Sequence, residues 1–313
     1  MNERPTAGPA DPAAVWSALL RSDAFSREVY WLAVPAVQER YQRLATGGPP
    51  APLHWVLACL AQFPAGALPA ARMLSLGCGA GTLEVMLARH DAFRRCDAWD
   101  LAPGAIEQAR EAARAAGEER IDFAVRDVER EEIAPGVYDA VWFNSSLHHV
   151  TDLEGVLDRV RRALRPGGFL FLHEYVGPPR FALPERQREA IRAAFALIPE
   201  RLRHLGGDRA APVLSGPLLP DPAAVEAADP SESPRSHEIL SAVAARFEVL
   251  ARHDAGGALL HFLLHGIAGN FRDDDPEAQR LLRLLFEIED TLMAIGDLAS
   301  DFAVVIARPR DAG

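Results

Sequence analysis

The sequence contains no lysine, so its 33 lysine-plus-arginine positions are all arginine. This absence excludes a Schiff-base lysine, the lysine of a Walker phosphate loop and the lysine that holds pyridoxal phosphate. A net charge of -11 also disfavours a nucleic-acid partner, because binding to phosphates depends on cationic side chains. The function should therefore need neither an amine nucleophile nor a basic surface.

Cysteines and long apolar segments are also scarce. Cys59, Cys78 and Cys96 are an odd number without metal-ligand spacing, so we expect neither a disulfide framework nor a metal site. No stretch of eighteen apolar residues is free of charge, and residues 1–12 lack the basic start and apolar core of an export signal. We expect a soluble cytoplasmic protein that does not engage a membrane.

The most informative segment that is present is LSLGCGAGTLE at 74–84. Its three glycines, Gly77, Gly79 and Gly81, separate an apolar strand-like run from a helical pattern. Glycine tolerates positive φ and has no Cβ, as a sharp strand-to-helix turn beneath a ligand requires. The first helical amides would then point at an adenosine-bearing ligand. A dinucleotide fingerprint, G-x-G-x-x-G, would need a glycine at Thr82.

Strand-like segments alternate with helical patterns from residue 73 onward. We predict strands at 73–76, 96–100, 121–125, 138–143, 168–175, 247–255 and 301–309. We predict helices through roughly residue 45 and at 53–63, 81–90, 103–116, 152–164, 184–205, 237–247, 258–270 and 276–296. This alternation predicts an α/β fold with a Rossmann-like, mostly parallel sheet covered by helices on both faces.

The G-x-G-x-G spacing at 77–81 and the segment LRPGGFLFL at 164–172 resemble class I S-adenosylmethionine (SAM) methyltransferases. The resemblance covers about residues 70–255 and 300–310. It implies a seven-stranded sheet with an antiparallel pair at one end, and SAM as the cofactor. We expect a SAM-binding domain at 66–313 with helical insertions at 178–235 and 257–296. Residues 1–65 would form a helical lid or an oligomerisation segment.

The cofactor residues follow partly from the pattern and partly from the resemblance. Asp100 closes the second strand, where a carboxylate can accept both ribose hydroxyl hydrogens or can cap the following helix. The resemblance places Asp127 and Val128 at the adenine and Asn144 at the methionine part of SAM. The expected cofactor-binding residues are Ser75, Gly77, Cys78, Gly79, Gly81, Asp100, Leu101, Asp127, Val128 and Asn144.

One position departs from the family pattern. Members often carry an acidic residue two positions before the first glycine, and this chain has Ser75 there. A serine accepts a hydrogen bond but cannot pair with the ammonium group of SAM. Glu84, in the first helix, is the candidate to compensate.

Four residues at the ends of the fourth and fifth strands are the catalytic candidates: His148, His149, His173 and Glu174. His148 is the first choice as a general base or a group that orients the acceptor, and the alternative is a histidine bonded within its loop. Because side chains alternate along a strand, His173 and Glu174 should face opposite layers. A buried Glu174 needs a partner, for which we consider Arg235 or a group of the substrate, and Tyr175 could donate to the acceptor.

Two further segments could contribute to the acceptor pocket. In DPSESPRSHE at 229–238, residues Arg235, Ser236 and His237 either close over the acceptor or cap the next helix. Aromatic residues of the N-terminal helices could line the pocket or belong to the core: Trp16, Tyr30, Trp31 and Trp55.

The combined expectation is a SAM-dependent methyltransferase whose acceptor is a small molecule, with an oxygen of a natural product or glycan preferred. An NAD-linked oxidoreductase is the first alternative, since Asp100 would bind a ribose there too. A non-catalytic SAM-binding partner protein is the second alternative. A homodimer is left open.

Overall fold

The computed structural model describes residues 11–19, 30–48 and 68–310. The helix predicted at 53–63, with Trp55 and Cys59, lies outside these ranges. Within them, no helix is both long and apolar enough to cross a lipid bilayer.

One seven-stranded sheet forms the centre of the protein, in the order β3-β2-β1-β4-β5-β7-β6. Pairing is parallel from β3 to β5, and β7 runs antiparallel to both β5 and β6. The predicted α/β class and strand number are thus confirmed. The strands are β1 (Ala70–Leu76), β2 (Phe93–Asp100), β3 (Ile121–Val125), β4 (Tyr138–Asn144), β5 (Leu164–Tyr175), β6 (Phe247–Gly256) and β7 (Phe302–Pro309).

Alternating side chains of the central strands fill two separate cores. On β1, Met73 belongs to one core, whereas Leu74 and Leu76 belong to the other. On β4, Trp142 and Phe143 divide in the same way. Because both faces are covered, these strands are mostly apolar, as expected for a parallel sheet.

Ten α-helices lie within the described ranges. Several of their bounds fall within two residues of the predicted ones. They are α1 (Pro12–Leu19), α2 (Pro35–Thr46), α3 (Thr82–Arg89), α4 (Pro103–Ala116), α5 (Leu153–Ala163), α6 (Glu185–Ala196), α7 (Pro222–Ala228), α8 (Ile239–Arg246), α9 (Leu260–Leu263) and α10 (Pro276–Ala294).

Two predicted helices were too long. The helix expected at 184–205 ends at Ala196, because Pro199 disfavours helical backbone in the residue before it. The helix expected at 258–270 is only the single turn α9, since the chain adopts positive φ at Gly266. Strand β5 starts at Leu164 rather than 168, and a register shift against β4 accommodates the Pro-Gly-Gly segment.

Helix α2 is anchored in the core by a buried ion pair. Arg40 Nη1 lies 2.7 Å from Glu289 Oε2, and both side chains are at most 2% exposed. The other oxygen of Glu289 accepts hydrogen bonds from the amides of Leu259 and Leu260, at 2.7 and 3.0 Å. Helix α2 packs on β6, whereas α1 packs beside α4. The two described N-terminal helices therefore have different surroundings, and a lid role for residues 1–65 stays a prediction.

We predict that Arg40→Met lowers the free energy of unfolding by about 3–5 kcal/mol, because it leaves the Glu289 carboxylate buried without its cation. The double variant Arg40→Met/Glu289→Gln should recover part of this loss. Urea denaturation measures both. Arg272→Met, which breaks an exposed pair with Asp274, is the control and should leave stability nearly unchanged. Equal losses of unfolding free energy in Arg40→Met and Arg272→Met would contradict the prediction.

Candidate active site

The glycine turn is held between neighbouring elements and is open on one side. Gly77, Gly79 and Gly81 have φ values of +72°, +53° and +70°. A Cβ on Gly77 would lie 2.3 Å from the Cβ of Ser146, and one on Gly81 would lie 2.7 Å from the ring of Phe123. A Cβ on Gly79 would meet nothing within 4 Å among the described atoms. The turn therefore exposes its backbone to a ligand at Gly79 and is closely packed at its two ends.

Asp100 connects this turn to the start of α4. Its Oδ2 accepts from the amide of Gly79 and its Oδ1 from the amide of Ala102, both at 2.8 Å. Ala102, and not Asp100, is the N-cap residue of α4. Each carboxylate oxygen keeps a second lone pair, so the group can still accept from two ribose hydroxyls. Burial raises the pKa of Asp100, and the backbone hydrogen bonds oppose this shift.

The other expected cofactor residues lie along the same edge of the sheet. Leu101 is 44% exposed beside Asp100. Asp127 follows β3, where its Oδ1 accepts from the amide of Glu129 at 2.9 Å, and Val128 packs against the core. The fold thus brings the ends of β1, β2 and β3 together, with an apolar side chain available for a flat ring.

Ser75 and Glu84 form a buried pair beneath the glycine turn. Ser75 Oγ donates to Glu84 Oε1 at 2.6 Å, and neither side chain is more than 2% exposed. Glu84 Oε2 has no hydrogen-bond partner among the residues that the structure describes. Burial raises the pKa of Glu84 to about 7, although the hydrogen bond from Ser75 acts in the opposite direction. The acidic group that Ser75 lacks is thus present nearby as Glu84, but it is buried.

Glu174 organises the loop that follows β4. Its Oε1 accepts from the amides of Ser146 and Leu147, at 2.8 and 2.7 Å, and its Oε2 lies 2.7 Å from His148 Nδ1. Burial lowers the pKa of His148, but the hydrogen bond and charge of Glu174 outweigh it and raise that pKa. The same contacts hold the pKa of Glu174 below its usual value despite burial.

The tautomer of neutral His148 follows from this geometry. A carboxylate only accepts hydrogen bonds, so Nδ1 of His148 carries the hydrogen and Nε2 carries the lone pair. A histidine fixed in this way can take a proton at Nε2, while the carboxylate stabilises the cation that forms. We refer to His148 and Glu174 as the His–Glu pair.

The partner proposed for Glu174 from the sequence was wrong. Arg235 instead binds Glu154 and Glu238, each at 2.7 Å, and so joins the 229–238 segment to α5. Ser236 Oγ donates to the carbonyl of Gly177 at 2.8 Å, and the side chain of His237 is 52% exposed. Arg235 and Ser236 thus fix the segment in place, whereas His237 is about half exposed. Two other residues of the same segment lie next to the histidines: Ser231 beside His149 and Glu232 near His148.

His149 contacts two parts of the chain that are distant in sequence. Its Nδ1 lies 3.0 Å from the carbonyl oxygen of Ser231, and its ring makes an edge contact with Trp16 of α1, 4.8 Å between ring centres. Burial and the neighbouring His148 lower the pKa of His149 to about 4. Trp16 therefore lies at the site, whereas Trp31, only 1% exposed, belongs to the core.

His173 faces the opposite layer from Glu174, as the alternation along β5 predicted. Its Nδ1 lies 2.9 Å from Asn144 Oδ1, and its Nε2 forms a hydrogen bond with the hydroxyl of Tyr41 on α2. Burial lowers the pKa of His173 to about 4. His173 thus orients Asn144 at the end of β4 and does not join the His–Glu pair. No local sequence signal indicated Tyr41.

The hydroxyl of Tyr175 is also engaged within the protein. It donates to the carbonyl of Pro178 at 2.9 Å, so its single hydrogen is not free for an acceptor. The ring of Tyr175 lies 6.3 Å from that of His148 and 5.0 Å from that of Phe181. An aromatic wall therefore borders the site next to His148.

Comparison with known proteins relates the chain to methyltransferases. Residues 74–172 match the family model described as a methyltransferase domain. The chain is 37% identical over 130 residues to a ubiquinone biosynthesis O-methyltransferase of Xanthomonas campestris pv. campestris, covering 40% of this chain and 52% of that protein. It is 36% identical over 116 residues to the fumosorinone synthetase of Cordyceps fumosorosea, covering 35% of this chain and 3% of that protein.

The chain thus spans about half the length of the first of these relatives. Among solved structures, a complex between a Haloferax volcanii methyltransferase activator and a methyltransferase matches with a TM-score of 0.51 at 14% identity, covering 96% of this chain and 99% of that one. This likeness supports the fold alone. The predicted family resemblance, with SAM as its cofactor, is confirmed by the domain match.

The buried carboxyl of Glu84 predicts a pH-dependent stability. Its folded pKa of about 7 exceeds the ordinary value of 4.5, so its contribution is complete below pH 4.5 and is lost as pH rises through 7. Relative to wild type, Glu84→Gln should therefore gain roughly 3 kcal/mol of stability between pH 5 and pH 8. Urea denaturation at both pH values measures this difference, and Glu111→Gln on the exposed face of α4 is the control. A pH-independent difference for Glu84→Gln would contradict the assignment.

Proposed function

Residues 74–172 form a class I SAM-dependent methyltransferase domain, and from this premise we propose that the protein transfers the SAM methyl group to an oxygen of a small natural product or glycan. The observation that carries the proposal is the His–Glu pair beside the glycine turn, with Nε2 of His148 as a proton acceptor. An oxygen acceptor of high pKa needs such a base, because the proton must leave as the oxygen attacks.

The residues of the cleft fit SAM. The open backbone at Gly79 and the spare lone pairs of Asp100 suit the ribose, and exposed Leu101 suits the adenine ring. Asp127 and Val128 are proposed at the adenine edge, and Asn144 at the methionine part. Ser75, Gly77, Cys78 and Gly81 then support the turn from below and from its ends.

When bound, SAM supplies a methyl group that is already activated by its sulfonium. The protein then has to place the acceptor oxygen in line and remove its proton. Nε2 of His148 takes that proton, and the charge of Glu174 stabilises the imidazolium.

The surroundings of His148 favour an acceptor with an apolar face. The ring of Tyr175 stands next to it, the ring of Phe181 packs on Tyr175, and Trp16 of α1 makes an edge contact with His149. Flat rings and sugar faces both pack on aromatic side chains. We therefore keep a natural product or a glycan as the acceptor class, with His149 helping to orient it.

The domain match also bears on the two alternatives to this function. It favours SAM over NAD, which makes an oxidoreductase the weaker alternative. A protein that binds SAM without turnover is an outcome of the experiment below. A homodimer stays a proposal.

The test separates cofactor binding from catalysis. Purified wild-type protein should bind SAM and not NAD in calorimetric titrations, and should transfer labelled methyl from SAM to a compound in a metabolite extract. His148→Gln should keep SAM affinity and lose about 100- to 10,000-fold in transfer rate, because the base is gone. Asp100→Asn should weaken SAM binding by about 10- to 100-fold, because a charged hydrogen-bond acceptor is lost.

The outcomes discriminate clearly. Wild-type transfer rates in His148→Gln would exclude this histidine as the base. SAM binding without transfer to any compound would favour the non-catalytic alternative. Heat with NAD in place of SAM would overturn the proposal as a whole.

We further propose that α1 covers the acceptor side of the site, as the contact between Trp16 and His149 suggests. Trp16→Ala should then raise the KM for the acceptor several-fold and change SAM affinity little. Val15→Ala on the same helix is the matched control. Steady-state kinetics measure both variants, with the acceptor compound that the labelled-methyl assay reveals. An unchanged KM for this acceptor in Trp16→Ala would contradict a lid role for α1.

A further inference from the structure

Two neighbouring histidines at the acceptor side of the site each keep one ring nitrogen with a lone pair. His148 donates from Nδ1 to Glu174, and His149 donates from Nδ1 to the carbonyl of Ser231. A carbonyl and a carboxylate only accept, so in both neutral rings the lone pair is on Nε2. Nε2 of His149 is buried and has no hydrogen-bond partner in the described part of the chain.

The third group is Glu232, from the insertion between β5 and α8. Its Oε1 lies 3.8 Å from His148 Nε2, and each of the three residues offers one donor atom within 4.8 Å of the other two. Tetrahedral zinc ligands lie about 3.4 Å apart, so the group must contract by up to about 1.4 Å at its widest. The Glu232 side chain, 19% exposed and on a loop, is the one that has room to move.

The supporting contacts are those of a built site. A ligating histidine is usually oriented by a carboxylate or a backbone carbonyl at its other nitrogen, and both kinds occur here. The loop that carries Glu232 is fixed by Arg180, whose Nη1 donates to the carbonyls of Pro230 and Glu232 at 2.5 and 3.2 Å. Glu232 Oε1 also accepts from Ser233 Oγ at 2.5 Å.

From this geometry we propose that His148, His149 and Glu232 bind one divalent transition-metal ion of the zinc class, and that the bound ion inhibits methyl transfer. Two imidazoles and one carboxylate suit Zn²⁺ and its neighbours in the first transition row, and do not suit Mg²⁺ or Ca²⁺. No metal site was expected from the spacing of the cysteines, and the ligands proposed here come from two segments that only the fold brings together.

The inhibition follows from one lone pair having two uses. Nε2 of His148 accepts either the metal ion or the proton of the acceptor, and it cannot hold both. This second part of the proposal rests on the proposed function, in which His148 is the base. The binding site itself does not depend on that function.

The experiment measures metal binding directly on the full chain. Metal-free protein is titrated with ZnCl₂ against a chromophoric chelator and with CoCl₂ by visible absorption. We expect one saturable Zn²⁺ per chain and a Co²⁺ spectrum typical of a protein-bound ion, with no competition from MgCl₂. His149→Gln and Glu232→Gln should each weaken Zn²⁺ binding by about 10-fold or more. His237→Gln is the matched control, because it removes an exposed histidine from the 3₁₀ turn Ser236–Glu238. This variant should keep the wild-type affinity for Zn²⁺.

Circular dichroism of each variant establishes that it is folded, so loss of binding is assigned to the lost ligand. Absence of saturable Zn²⁺ binding to wild type, or wild-type affinity in both ligand variants, would overturn the site. The inhibition is tested separately, by the Zn²⁺ concentration that halves labelled methyl transfer. From wild type to Glu232→Gln, this inhibitory Zn²⁺ concentration should rise by at least the same factor as the Zn²⁺ dissociation constant. Zn²⁺ binding without any loss of transfer would overturn the inhibitory role and leave the site standing.

Discussion

The buried carboxylate of Glu174 is the constraint around which the site is arranged. A charge removed from water has to be compensated by hydrogen bonds and an opposite charge, or it is too costly to keep. Glu174 obtains two backbone amides from the loop after β4 and one ring nitrogen from His148. Satisfying this single group therefore orders the loop, selects the tautomer of His148 and leaves its Nε2 with a lone pair.

The same loop also closes the cofactor side of the cleft. Ser146, whose amide binds Glu174, donates from its Oγ to the carbonyl of Leu76 at 2.6 Å and packs against Gly77. The glycine turn and the His–Glu pair are thus joined through one residue. A displacement of either would be transmitted to the other through Ser146, which would link the position of the cofactor to that of the proposed proton acceptor, His148.

Much of the fold was predictable because its signals are local. Glycines at alternate positions, apolar runs and periodic helical segments identify the sheet and most helix bounds from nearby residues alone. The failures have local physical causes too: Pro199 ended one helix and Gly266 interrupted another. At the site, the alternation of His173 and Glu174 was predictable, whereas the partner of Glu174 was not, since His148 and Arg235 were both chemically acceptable.

The fold class, the family resemblance and the cofactor could be predicted from the sequence, because these depend on short motifs in a fixed order along the chain. Which side chains meet depends on the packing of the folded chain. Trp16, Tyr41 and Glu232 come from an N-terminal helix, a second helix and an insertion, and each reaches a histidine near the ends of β4 and β5. Contacts of this kind depend on how distant segments pack, and packing leaves no periodic or spaced pattern in the sequence from which they could be predicted.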